Sequence, residues 1–192
     1  LIFTFAKITT CLMQKLTNEE LKRLSVEEFK ESEKLPVYII LDNVRSGLNV
    51  GSVFRSADAF RVAGIYCCGI TPVPPHREVL KSALGATDSV QWEYFQDTLS
   101  AISKLRSGGC MIASVEQTSN AVMLHQIPKS AQPLAIIFGH EMDGVSQEAI
   151  NQSDYSIEIP QTGTKHSLNI SVCAGIVLWE LARQHLPVAS TL

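Results

Sequence analysis

No apolar run in this chain of 192 residues reaches the length of a membrane span. The nearest, Ile170–Leu181, is too short and carries Ser171 and Glu180. Leu1–Met13 is mildly apolar, yet it lacks a basic leader and is broken by Lys7, so it does not read as a signal peptide. Met13 is the expected natural start, with the residues before it an upstream extension. The five cysteines (Cys11, Cys67, Cys68, Cys110 and Cys173) are odd in number and lack metal-ligand spacing. Buried, reduced thiols in a cytosolic protein are the expected state, with no metal. Neither a GxGxxG fingerprint nor a Walker A lysine is present, so no dinucleotide or NTP site is supported. There is also no internal repeat and no low-complexity linker.

What remains is an ordinary globular composition, 45% hydrophobic and 18% charged, with a formal net charge of −3. One domain is expected from the length. The net charge does not by itself point to a nucleic acid, but its distribution is uneven. Residues 43–86 hold Arg45, Arg55, Arg61, Arg77 and Lys81 against Asp58 and Glu78, whereas residues 87–192 hold five basic and ten acidic residues. A basic lobe on an acidic body suits a polyanion docking on one face.

Residues 17–34 are polar and charge-rich, with capping-box patterns at Thr17-x-x-Glu20 and Ser25-x-x-Glu28. This predicts a helix or helix pair, an arm over residues 1–36 that lies on the body or on a partner subunit. From Val37 onward apolar β-rich runs alternate with helical patterns. Strands are expected at Val37–Leu41, Ile65–Cys68, Val90–Tyr94, Cys110–Val115, Leu134–Phe138 and Tyr155–Ile159. Helices are expected at Ser52–Phe60, Glu78–Leu84, Thr98–Arg106, Ser146–Asn151 and Asn169–Gln184. This rhythm predicts an α/β fold with a mainly parallel sheet covered on both faces. Such sheets bind ligands at the carboxyl ends of their strands. The last helix is apolar nearly all round, which predicts burial on more than one side, in the core and at a subunit interface.

Three blocks stand at strand ends. The first runs from Asp42 through Asn49 and Gly51 to Arg55. Asn49 and Gly51 suit a tight turn, and Gly51 permits close approach of a backbone or phosphate. Arg55, one helical turn later, could clamp a phosphate through its planar fork; a structural loop with an arginine ion pair would account for the block as well. The second is Gly139-His140-Glu141-Met142-Asp143-Gly144. Glu141 could accept backbone N–H bonds or reach a substrate, and His140 beside it reads more readily as a packing residue than as a general base. The third runs Ile159-Pro160-Gln161-Thr162-Gly163-Thr164-Lys165-His166-Ser167-Leu168-Asn169. Ser167 is the expected helix cap, with Asn169 in the first turn. Two such strand-end loops make a pocket walled largely by backbone, suited to a neutral, adenosine-like ligand.

Together the blocks resemble the three motifs of the SpoU (TrmH-type) branch of the SPOUT RNA methyltransferases, over about residues 37–185. The first motif is Asn49, Gly51 and Arg55; the second Gly139 and Glu141; the third Ile159, Pro160, Ser167, Leu168, Asn169 and Ser171. Ser82–Ala86 is similar to the family's Gly-Ala turn before a strand. The resemblance implies a methyltransferase domain over 37–192, a C-terminal trefoil knot at about 134–185 and a homodimer. It also implies S-adenosylmethionine as cofactor and transfer of its methyl group to a ribose 2′-hydroxyl of tRNA or rRNA. Carried over residue by residue, it gives Gly139, Ile159, Leu168, His140, Pro160 and Gln161 as cofactor contacts, joined by Val115 and Glu116 from an earlier strand end. Arg55 is the implied central catalytic residue, with Asn49, Glu141, Ser167 and Asn169 arranging the site. RNA is expected on Arg45, Arg55, Arg61, Arg77 and Lys81. Gln161 and His140 differ from the residues many relatives carry there. The slightly acidic net charge and the small basic lobe lean the substrate weakly towards tRNA, and the cytoplasm is the expected compartment. The competing readings are a knotted RNA-binding module without transfer, a base-methylating enzyme sharing the knot, and a nicotinamide oxidoreductase, which the missing fingerprint disfavours.

Overall fold

The computed structural model describes residues 14–17 and 19–185, so the expectations placed on residues 1–13 lie outside the described residues. Seven strands form one wholly parallel sheet: β1 Leu35–Asp42, β2 Val62–Cys68, β3 Trp92–Phe95, β4 Met111–Val115, β5 Val122–Met123, β6 Leu134–Phe138 and β7 Tyr155–Glu158. Their order is β3-β2-β1-β6-β4-β7-β5. The helices are α1 Val26–Glu31, α2 Gly47–Ala59, α3 Arg77–Ala83, α4 Ala86–Ser89, α5 Thr98–Ser107, α6 Gln147–Asn151 and α7 Ile170–Arg183, with a 3-10 turn at Leu124–Gln126. No helix among the described residues is long and apolar enough to cross a membrane.

Side chains alternate between two cores, one on each face of the sheet. Ile39, Leu41, Ile65, Cys67, Ile136 and Phe138 pack with α2, α3 and α7. Ile40, Cys68, Ile112, Ala135 and Ile137 pack with α5 and α6. Adjacent Cys67 and Cys68 thus point to opposite faces, as a strand requires. β6 is buried at all five positions, which explains its unbroken apolar run. Burying one such isoleucine contributes about 1.5–3 kcal/mol relative to exposure.

The N-terminal segment is less helical than its pattern predicts. The Ser25–Glu28 capping box is present and starts α1. Thr17 and Glu20 also bond to one another, but Lys22 adopts a φ of 45°, which ends that turn before a helix can propagate. Phe29 of α1 is buried in the main core, so this helix lies on its own body. Other elements also depart from the expected bounds; β2, for example, begins at Val62 rather than Ile65. α2 begins at Gly47 because Ser46 caps it, its side chain accepting from the Asn49 N–H. The run from Val90 gives a strand only from Trp92, since Val90 is the C-cap of α4, its N–H donating to the Ala86 carbonyl. β5, two residues long, has no visible period in the sequence.

Because every strand runs the same way, the loops after β1, β4, β6 and β7 emerge at one edge. These four strands lie in the order β1-β6-β4-β7, and the loops that follow them carry all three sequence blocks.

Candidate functional site

Glu141 stands at the centre. Its carboxylate accepts the Arg45 N–H at 3.0 Å, the Ser46 N–H at 3.0 Å and the Asn49 Nδ2–H at 2.9 Å. Burial alone would raise its pKa, but the bonds from Asn49, Arg45 and Ser46 outweigh that and lower it below the ordinary value. An anion here also faces the start of α2, where unpaired N–H groups favour negative charge. Asn49 then links onward, its Oδ1 accepting from Asn169 Nδ2 at 3.2 Å. Asn169 Oδ1 accepts from the Ser171 N–H at 2.9 Å and its hydroxyl at 2.7 Å, so Asn169 is the N-cap of α7. Ser167, the expected cap, lies two residues upstream in the loop. One chain of bonds therefore joins the three blocks.

Beside it opens a cavity of about 730 Å³, within the range of cofactor sites. Val115, Glu116, Gly139, His140, Glu141, Ile159, Gln161, Ser167, Leu168 and Asn169 line it, whereas Pro160 is outside the lining. The loop after β6 is tightly folded. His140 and Gly144 exchange two backbone bonds of 2.9 Å each, and a Cβ on Gly139 would stand 2.0 Å from the Gly144 carbonyl carbon. Glycine is therefore required at 139 for loop closure. His140 Nδ1 accepts the Met142 and Asp143 N–H groups at 3.2 and 3.3 Å, an anchor for the loop. Glu116 fixes the same loop from β4, Oε2 accepting the Val145 N–H at 3.0 Å. Cys173 also lines the cavity; burial, then the nearby Glu116 charge, pushes its thiol up to about 12. It stays protonated and unreactive at neutral pH.

Arg55 lies elsewhere. It is exposed on α2 and lines a shallow pocket with Ser52, Ser56, Phe60, Lys81, Ser82 and Leu84. Neither Arg55 nor Lys81 makes an ion pair among the described residues. Gly51 plays a different part from the turn expected of it. It lies inside α2, and a Cβ there would meet the Val79 carbonyl oxygen and Ser82 Oγ at 2.2 Å. The backbone that approaches it belongs to α3. The basic residues are also dispersed. Arg77 opens α3, whose first turn abuts Gly47 near Arg45. Arg61 sits at the opposite end of the sheet, where its carbonyl accepts the Leu35 N–H at the start of β1.

Several residues escaped the motif reading. Asp42 is buried, and its carboxylate accepts from Asn43, Thr98, and both the N–H and hydroxyl of Ser146. It ties the end of β1 to α5 and to the loop after β6. Its only sequence signal is an acidic residue closing an apolar strand. Gln117 and His166 also line the cavity, Gln117 beside Glu116 and His166 beside Ser167, both expected site residues. Among the described residues no group of histidine, cysteine or carboxylate side chains could hold a metal.

Comparison with known proteins places the chain in a family. The chain is 31% identical over 159 residues to a protein of Staphylococcus aureus (strain MSSA476) named for the TrmH family of tRNA/rRNA methyltransferases, covering 83% of this chain and 63% of that protein. It is 30% identical over 146 residues to the tRNA (guanosine(18)-2′-O)-methyltransferase of Escherichia coli (strain K12), covering 76% of this chain and 62% of that enzyme. It thus spans under two thirds of the length of these relatives. The crystal structure of an AdoMet-bound rRNA methyltransferase from Sinorhizobium meliloti superposes with a TM-score of 0.73 at 27% identity, covering 82% of this chain and 62% of that one. The family model described as SpoU rRNA Methylase family matches residues 36–179. With the convergent motifs and that match taken together, the chain belongs to the SpoU methylase family.

Proposed function

We propose that this chain is an S-adenosylmethionine-dependent RNA ribose 2′-O-methyltransferase. The observation that carries the reading is the convergence of three separate motifs on one cavity: Glu141 and Asn169 line it, and Asn49 is hydrogen-bonded to both. The activities for which the E. coli and S. meliloti relatives are named support the reaction class and the cofactor. Substrate RNA is tRNA or rRNA, the E. coli relative favouring tRNA.

The cavity suits the cofactor. Ile159, Leu168 and Val115 give apolar walls, while Glu116, Glu141, Asp143 and Glu158 add carboxylates to the lining, which suit the positive charge of a sulfonium. When bound, S-adenosylmethionine supplies an activated methyl group, so the protein's work is orientation and disposal of the hydroxyl proton. Glu141 is occupied by three donors and positions the end of α2. Asn169 and Ser167 lie where the ribose would enter. The Arg55 guanidinium holds the phosphate and stabilises the developing alkoxide, and the proton leaves through phosphate or water. Arg45, Arg77 and Lys81 extend the RNA contact.

Since Arg55 lies outside the cavity of its own chain, the reading includes a homodimer in which α2 of one copy serves the cavity of the other. The exposed stripe of Val172, Ile176 and Trp179 on α7 gives such a dimer an apolar face. The trefoil knot over about 134–185, the domain limits at 37–192 and work in the cytoplasm belong to the same reading. The position of Arg55 also favours one alternative, a knotted RNA-binding module without transfer.

The test is incubation with methyl-labelled S-adenosylmethionine and total small and ribosomal RNA, followed by nucleoside analysis. A 2′-O-methylated nucleoside is expected, with Arg55→Ala reducing its formation by about 100-fold or more. Cofactor binding without RNA-dependent incorporation would select the binding module.

A further inference from the structure

The third loop is loosely held. Every side chain from residue 160 to residue 168 is exposed. Among the described residues this segment makes one hydrogen bond to the rest of the chain: Gln117 Nε2–H donates to the His166 carbonyl oxygen at 2.7 Å. The loop's ends are fixed by β7 and by the Asn169 cap, but its middle has many conformations to lose. The single bond falls where it selects among them, because His166, Ser167 and Leu168 form one wall of the cavity.

Gln117 is well placed for this. It follows β4 by two residues, and its own N–H donates to Glu116 Oε1 at 2.9 Å. Glu116 in turn accepts the Val145 N–H with its other oxygen. The pair Glu116–Gln117 therefore brackets the cavity, one side chain holding the loop after β6 and the other the loop after β7. No motif of the sequence reading includes Gln117.

We propose that Gln117 is a positioning residue, a latch whose amide holds the third loop in the arrangement that accepts the cofactor. Its identification as a cofactor latch rests on the methyltransferase reading; the loop-holding role does not. The latch acts on affinity, so its loss raises KM for S-adenosylmethionine more than it lowers kcat.

Lys165 precedes His166 and offers a direct test, since trypsin needs the segment extended in its cleft and cuts faster as the loop leaves its seat more often. Cleavage of a transiently opened segment tracks the open population. Gln117→Ala removes the side chain, while Gln117→Glu keeps its size and removes the donor. Both variants should be cut after Lys165 about 3- to 10-fold faster than the wild type, with cleavage elsewhere unchanged, as expected for loss of one net hydrogen bond. Affinity for S-adenosylmethionine, measured by titration calorimetry, should fall by the same order. Wild-type cleavage at Lys165 in Gln117→Glu would overturn the latch. If the wild-type chain takes up no S-adenosylmethionine, the functional reading fails and the cleavage rates alone decide the latch.

Discussion

Glu141 holds together two backbone N–H groups and one side-chain amide from a segment more than ninety residues away. Because those bonds lower its pKa below the ordinary 4.5 despite burial, its ionised form stabilises the fold. The sign follows from linkage: the contribution is complete above about pH 4.5 and is lost as the pH falls through the lowered folded-state value. Glu141→Gln should therefore melt a few degrees lower than the wild type at pH 7, about 1 kcal/mol once solvent screening is allowed for. The gap should narrow on going to pH 3.5; an unchanged gap in melts followed by circular dichroism would count against the carboxylate's role. Glu141, Asn49 and Asn169 were legible because motif order names them. Asp42 and Gln117 were not, since each is defined by partners 104 and 49 residues away along the chain, and nothing local marks the pairing.

At the scale of elements, the seat of α2 on α3 depends on Gly51. Any side chain there would press on the Val79 carbonyl, which cannot swing aside as a side chain would. Gly51→Ala should cost about 1–3 kcal/mol, a fall of roughly 2–12 °C in melting temperature, and should disturb the Arg55–Lys81 pocket that the two helices share. A melt and RNA binding by the variant check this together. Strand positions were readable from burial: β6 is apolar throughout because both faces are covered. Cap assignments were harder. Ser167 has the better local pattern, yet Asn169 caps α7 because its amide is also held by Asn49, a tertiary bond that no window of sequence contains.

For the whole molecule, α7 sends Ala174, Val177 and Leu178 into the core and leaves Trp179 53% exposed, its ring centre 6.2 Å from that of Phe60. A sequence apolar on all sides thus resolves into one face already covered and one open. Trp179→Asp should convert a dimer to a folded monomer in sedimentation analysis; a wild-type monomer, or a variant that stays dimeric, would remove this face from the interface. Layering was readable from alternation, but strand order was not, because periodicity says which residues face inward and nothing about which strand lies alongside. That order has a consequence during synthesis. β1 pairs on one side with β2, which follows directly, and on the other with β6, Val37 facing Leu134. A chain leaving the ribosome exposes the apolar edge Ile39–Leu41 while β2 to β5 are made, with N–H and C=O groups free to recruit other chains. Aggregation risk therefore concentrates in the nascent protein, and a truncation ending before Leu134 leaves that edge open for good.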